Sequence, residues 1–244
     1  MSAPLFLVDS LPAADTATLD GPEGHHAADV QRLRVGERLV LADGRGGTAT
    51  AEVTAVAKGS VRYLVTSRAF REVEPVRVTV VQGIPKGDRG ELAVQAMTEV
   101  GVDEIVPWAA ARSITQWRGE RGHKARAKWA ATAREAAKQA RRAYLPEVSG
   151  DPDLTTKQVV ARLSAATAAF VLHESADTPL TSVELPAEGE IALVVGPEGG
   201  VADAELDVFA EAGATAVRLG DTVLRTSTAG VAAIAVLATR LHRW

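Results

Sequence analysis

The 244-residue sequence contains no cysteine. That excludes disulfides, thiolate metal sites and cysteine nucleophiles together. It fits a reducing compartment, and the expected location is the cytoplasm. No charged start followed by a long apolar core opens the chain, so no secretory signal is expected. The longest apolar run near the end, Ala229 to Ala238, is too short and too rich in alanine to span a bilayer, so no membrane partner is expected. His25-His26 invites a metal reading. On an extended segment, however, neighbouring side chains point apart and no third ligand is in sight, so no metal site is expected.

What is present divides into two domains. Over residues 1–72, short strand-like runs (Leu5 to Val8, Arg38 to Leu41, Ala49 to Val56, Val61 to Thr66) are separated by Asp43-Gly44, Gly46-Gly47 and Lys58-Gly-Ser60. Short strands with close turn signals predict a small β-barrel. Glu72-Val-Glu-Pro75 is a linker. Over residues 76–244 the rhythm changes. Strands are predicted at Val76 to Val81, Ile105-Val106, Ala168 to Leu172, Ile191 to Val195 and Ala216 to Leu219. Helices are predicted from Glu91 to Val100 before Gly101, from Glu120 to Tyr144 before Pro146, and from about Thr228 onward. Such alternation predicts an α/β domain with a mostly parallel sheet and helices on both faces.

The organising stretch is Ile191 to Val195 running into Gly196-Pro-Glu-Gly-Gly200. A buried strand there breaks into a sharp loop, and Asp203 and Glu205 open a helix that Gly213 closes. The loop is neither a Walker loop nor Gly-x-Gly-x-x-Gly. Glu198 inside it would repel a phosphate, so an adenosine-like or cationic ligand is expected. Two further strand ends stand out, Leu172-His-Glu174 and Leu219-Gly-Asp-Thr-Val-Leu-Arg-Thr226. Ligands of open α/β sheets lie beyond the carboxyl ends of strands, so the three are expected to share one cleft.

The net charge of -4 conceals an asymmetry. Ten Lys and Arg lie between Arg112 and Arg142 against Glu120 and Glu135, so this segment is +8 and the remainder -12. A basic patch on an acidic body predicts a polyanionic partner met by one face. At helical spacing Lys124, Lys128, Lys138 and Arg142 share one side, opposite Trp129, Ala133, Ala136 and Ala140. With Lys86, Arg112 and Arg134 they form the expected RNA-binding set. The final helix is nearly apolar all round, as a core helix or a subunit interface would be.

Gly196-Pro-Glu-Gly-Gly200 followed by Leu219-Gly-x-x-x-Leu-Arg-Thr226-x-Thr-Ala229 resembles the knotted SPOUT class of S-adenosylmethionine-dependent RNA methyltransferases. Further matches narrow the resemblance to the 16S ribosomal RNA uridine-N3 methyltransferases of the E type. They are His25-His26, Lys86-Gly-Asp-Arg89, Gln95-x-x-Thr98-Glu99-Val-Gly101, Arg112-Ser113, and Glu135-Ala-x-x-Gln139-x-x-Arg142 with Pro146. Ser227, Ala96 and Val201 stand where Glu, Lys and Phe are usual. The resemblance implies a PUA-like barrel that helps hold RNA, a deep trefoil knot near the carboxyl end, and a homodimer with sites at its interface. It implies S-adenosylmethionine as cofactor, held by Leu172, His173, Gly196, Gly199, Gly200, Leu219, Gly220, Leu224 and Thr226, largely through main chains. It implies 16S rRNA, within the small ribosomal subunit, as partner.

Uridine N3 carries a proton, and its anion is the better nucleophile. A guanidinium fixed beside the uracil carbonyls would favour that anion. Arg225 is the candidate for this work, with Arg89 second; phosphate anchoring is the competing role for both. Glu198 either accepts the proton or orders the loop. His173 is taken as cofactor-adjacent, and Thr226 to Thr228 also suit a helix cap. Two other functions stay open: methylation of a ribose 2′-hydroxyl of transfer RNA, and RNA binding without chemistry.

Overall fold

The computed structural model describes residues 3–244. They cluster into two units, one running to Val73 and taking in Ala137–Leu145, the other holding Glu74–Ala136 and Pro146–Trp244.

The first unit is built on β1 (Leu5–Leu7), β2 (Thr16–Leu19), β3 (Arg38–Ala42), β4 (Gly47–Ala57) and β5 (Ser60–Phe70). The strands lie in the order β1-β3-β4-β5-β2, antiparallel except where β1 meets β3. Side chains of a strand alternate between faces. Accordingly Ala49, Ala51 and Val53 of β4, with Val61, Tyr63 and Val65 of β5, turn inward onto Phe6, Leu39 and Leu41. Glu52 and Arg62 face solvent.

Between β2 and β3 the chain forms α1 (Gly21–His25) and continues as a π-helical turn over His26–Val30. Pro22 sits in the first turn, where its fixed φ suits a helix and its missing N–H costs nothing. The pair His25-His26 is therefore helical, not extended. His25 Nδ1 bonds Asp29 Oδ2 at 2.7 Å, and His26 lies 3.4 Å from Gln31 Nε2.

The second unit carries β6 (Val76–Gly83), α2 (Arg89–Glu99), β7 (Glu104–Trp108), α3 (Gly119–Gln139), β8 (Glu147–Val148), α4 (Thr156–Ala165), β9 (Ala168–Leu172), β10 (Gly189–Val195), α5 (Asp203–Glu211), β11 (Thr215–Val217) and α6 (Thr226–Arg240). The last turn of α3 belongs to the first unit. All six strands are parallel, in the order β11-β9-β10-β6-β7-β8. Parallel strands are covered on both faces, which is why β6 is rich in valine and β10 ends in the continuous apolar run Ile191 to Val195. On one face Val78, Val80 and Leu193 meet Met97, Trp129 and Leu237 from α2, α3 and α6. On the other, Val81, Val106 and Val194 meet Leu163 of α4 and Phe209 of α5. Each such side chain contributes about 1.5–3 kcal/mol on burial.

The amino ends of these strands are closed by charge pairing. Glu104, buried at the start of β7, pairs with Arg162 and Arg77 and accepts hydrogen bonds from Thr79 and Ser149. The carboxyl ends instead run into loops. Among the described residues, no helix is long and apolar enough to cross a membrane.

Two further sequence expectations are corrected. The helix predicted to reach Tyr144 ends at Gln139, and the segment after it is held in the first unit. There Leu145 joins Leu5, Leu7 and Ala42, and the Tyr144 hydroxyl donates to the Arg71 carbonyl at 2.8 Å. Lys138, expected on an RNA-facing surface, is buried, with its ammonium 2.9 Å from Glu23 Oε1. An unpaired ammonium in that position would be costly, so the pairing is what allows the burial.

Candidate active site

The loops after β9, β10 and β11 line one cavity of about 570 Å³ at the carboxyl ends of the strands, completed by the first turn of α6. All nine residues expected at the cofactor border it: Leu172, His173, Gly196, Gly199, Gly200, Leu219, Gly220, Leu224 and Thr226. So do Arg89, Arg112, Glu198 and Arg225. Lys86, Lys124, Lys128 and Arg134 are exposed but lie outside it. Arg142, like Lys138, belongs to the first unit.

The β10 loop is fixed from three sides. Glu198 Oε1 accepts from Arg89 Nη1 at 2.8 Å and from the Lys86 amide at 3.1 Å. Burial alone would raise the Glu198 carboxyl. Its own backbone amide, the Arg89 guanidinium and the Lys86 amide outweigh that and hold it below the usual carboxylate range. A carboxylate so satisfied is a poor proton acceptor and a good loop anchor.

From the second side, Arg112 Nη1 donates to the carbonyls of Val201 and Gly199 at 3.2 and 3.4 Å. The segment bearing Arg112 is itself held by buried Glu205, which accepts from the Ala111 amide at 2.8 Å and caps α5 through the Ala202 amide at 3.0 Å. Third, Gly83 at the end of β6 lies so close to Pro197 that a Cβ there would come within 2.7 Å of the proline nitrogen.

The cavity holds four guanidiniums. Arg89 pairs with Glu198, Arg112 lies 3.7 Å from Asp203, and Arg218 pairs with Asp221 at 3.0 Å. The Arg225 side chain has no hydrogen bond or ion pair among the described residues. His173 Nδ1 accepts from the Ser175 amide at 3.3 Å and lies 2.8 Å from the Ser175 hydroxyl. A backbone N–H only donates, so the neutral ring carries its hydrogen on Nε2.

Apolar Leu172, Val195, Val217, Leu219 and Leu224 wall a space of the size small-molecule sites usually have. Glycines expose main-chain groups along one side of it. That combination fits an adenosine-sized ligand: apolar faces for a ring, backbone donors and acceptors for its edge, and no lysine in the β10 loop to bind phosphate. Among the described residues no group of His, Asp or Glu is arranged to hold a metal ion. Sequence reasoning missed Gln82, Glu205 and Arg218. Gln82 did leave a signal, a lone amide ending a valine-rich strand.

The profile described as an RNA methyltransferase domain matches residues 72–238, and that of an RNA methyltransferase PUA domain matches residues 19–62. The ribosomal RNA small subunit methyltransferase E of Mycobacterium bovis is 45% identical over 249 aligned residues, spanning 100% of this chain and 94% of that one. The chain belongs to the ribosomal RNA small subunit methyltransferase E family. The Bacillus subtilis member is 31% identical, over 92% of this chain and 90% of its own. The crystal structure of the Neisseria gonorrhoeae member, bound to S-adenosyl methionine, superposes with a TM-score of 0.86 at 29% identity and covers 98% of both chains. The fold over that 98% of the chain is thus that of the methyltransferase E family. The family inferred from the loop motifs is the one to which the chain belongs.

Proposed function

We propose that this protein transfers the methyl group of S-adenosylmethionine to N3 of a uridine in the 16S RNA of the small ribosomal subunit. Family membership makes it an S-adenosylmethionine-dependent ribosomal RNA methyltransferase. The choice of N3 is our reading of the site. It is carried by one observation: of the four cavity guanidiniums, only that of Arg225 is left without a side-chain partner.

S-adenosylmethionine supplies an electrophilic methyl on a sulfonium. The N3–methyl bond forms as the sulfur–methyl bond breaks, S-adenosylhomocysteine departs, and the N3 proton is lost to solvent. The residues of the chain hold the two partners in line and exclude water. Leu172, Leu219 and Leu224 wall the adenine, while main-chain groups of Gly196, Gly199, Gly200 and Gly220 read its edge, with His173 and Thr226 at the border. Arg225 stabilises the negative charge that develops on the uracil when N3 gives up its proton. Glu198 and Arg89 serve the loop rather than the proton, because each satisfies the other. Arg112 and the exposed bases Lys86, Lys124, Lys128 and Arg134 meet RNA phosphates, and the first unit shares that work.

The same reading includes the trefoil knot and a homodimer, for which the half-exposed Val231 and Val236 of α6 and the exposed Val223 offer an apolar surface. Light scattering tests the dimer. Mass spectrometry of ribosomal RNA digested after incubation of small subunits with the protein and S-adenosylmethionine tests the chemistry. N3-methyluridine is the expected product. A 2′-O-methyl nucleoside instead would transfer the cavity to the ribose-methylating reading.

A further inference from the structure

Gln82, near the end of β6, is wholly buried. It follows Val78, Val80 and Val81, and an amide among such neighbours costs free energy unless its polar groups are met. Its Nε2 donates twice, to the Gly83 carbonyl at 3.1 Å and to Thr226 Oγ1 at 2.9 Å. Thr226, also buried, donates its hydroxyl hydrogen to the Gly196 carbonyl at 2.7 Å.

A hydroxyl has one hydrogen. With that hydrogen given to Gly196, Oγ1 can only accept from Gln82. The orientation of the amide follows as well, since turning it over would set its oxygen against the Gly83 carbonyl, two acceptors face to face. The sequence amide to hydroxyl to carbonyl therefore runs in one direction, joining the end of β6, the start of α6 and the loop after β10. Gly196 and Thr226 line the cavity and Gln82 does not.

The other end of the amide is informative too. Gln82 Oε1 is buried with no hydrogen-bond partner among the described residues. An unmet buried acceptor is a stability cost, and an apolar side chain of the same length would remove it. What the amide contributes here comes from its N–H groups.

We propose that Gln82 is a positioning residue for the cofactor cavity. It orients the Thr226 hydroxyl, which holds the Gly196 carbonyl and the first turn of α6 at one spacing around the ligand. The inference rests on the reading of this cavity as the S-adenosylmethionine site.

The test is calorimetric titration of the full chain with S-adenosylmethionine, at a temperature where circular dichroism shows every variant folded. Gln82→Met and Thr226→Val are each expected to raise Kd by about tenfold. The double variant is expected to do no more than the larger single change, because both interrupt one connected set of bonds. Gln82→Met should nonetheless keep Tm close to that of the parent, while Val80→Ala, a core variant on the same strand, should lower Tm and leave Kd within about twofold. If Gln82→Met does not fold, Gln82→Asn, which keeps the amide but shortens its reach, carries the same expectation for Kd. A Kd within twofold of the parent for the folded Gln82 variant, or additive effects in the double variant, overturns the inference alone. Absence of saturable heat with the parent protein overturns the cofactor reading and this inference with it.

Discussion

Arg89 and Glu198, 109 residues apart in the chain, meet at 2.8 Å. The pair joins the start of α2 to the loop after β10, and the Lys86 amide adds a further bond to the same carboxylate. Both residues carry charges that suit catalysis on paper. In the fold each is committed to the other, whereas the Arg225 side chain has no hydrogen bond or ion pair among the described residues, which is why the proposed function gives it the contact with substrate.

Replacing Arg225 by Ala is expected to leave the Kd for S-adenosylmethionine within a few-fold of the parent and to cut methyl transfer by about two to three orders of magnitude, the usual size of a lost electrostatic contact. Calorimetry and single-turnover transfer to small subunits, measured on the same preparation, check the two halves. Turnover near normal would remove Arg225 from the chemistry.

The Glu198 anchor makes a pH-dependent prediction. Its folded-state carboxyl lies below the ordinary glutamate value, so its contribution to stability is present above the unfolded pKa and is lost as pH falls through the lower folded value. Glu198→Gln should therefore lower Tm near pH 7, and the difference from the parent should shrink as pH falls below the ordinary glutamate range and the parent carboxyl takes up its proton. A Tm difference that persists unchanged into acid would contradict the pairing.

Lys138 and Lys124 look alike in sequence and should behave differently. Lys138→Ala removes a buried ammonium that pairs with Glu23 and is expected to cost about 3 kcal/mol of stability, without changing the salt dependence of RNA binding. Lys124→Ala, on the exposed part of α3, should leave the denaturation midpoint alone. If it contacts a phosphate, the slope of log K against log salt drops by about 0.7–0.9. Urea titration and filter binding at several salt concentrations separate the two.

Gly83→Ala drives a Cβ against the backbone nitrogen of Pro197. Backbone there cannot yield cheaply, so a loss of about 1–3 kcal/mol is expected, with weakened S-adenosylmethionine binding. Gly230→Ala makes a still shorter contact, but with Met97 Sδ on a flexible side chain, and should be the milder of the two. Thermal melts of both variants test the order.

Helix ends show which parts of this fold were legible beforehand. After α2 and α5 the chain turns through Gly101 and Gly213 at positive φ, with the amides of Val102 and Ala214 reaching back to the carbonyls of Met97 and Phe209. Glycine at that position is a readable stop signal. The same turn closes α3 with Arg141 at φ 55, and the Arg142 amide bonds the Ala137 carbonyl. It also closes α6 with His242 at φ 55. Neither residue type announces that conformation, so the sequence pattern alone carries α3 on toward Pro146. β2 was invisible for another reason: Thr16–Leu19 buries only Leu19 and is fixed by pairing with β5. In the site, the strand ends and glycines were legible because the parallel sheet requires them. The partners of Glu198, Thr226 and Arg112 were not, since each is supplied by a segment distant in the chain.

Because all neighbouring strands of the six-stranded sheet run in the same direction, none of its pairs is a hairpin. β10 closes onto β6 with Gly189 beside Val76, and β11 joins β9 with Thr215 beside Phe170. Every ladder must wait for a long excursion of chain to return, which raises the entropic barrier and slows assembly. The pocket is lined by the loops after β9, β10 and β11, so it is complete only when these closures have been made. During refolding, secondary structure should therefore appear well before any ability to capture ligand.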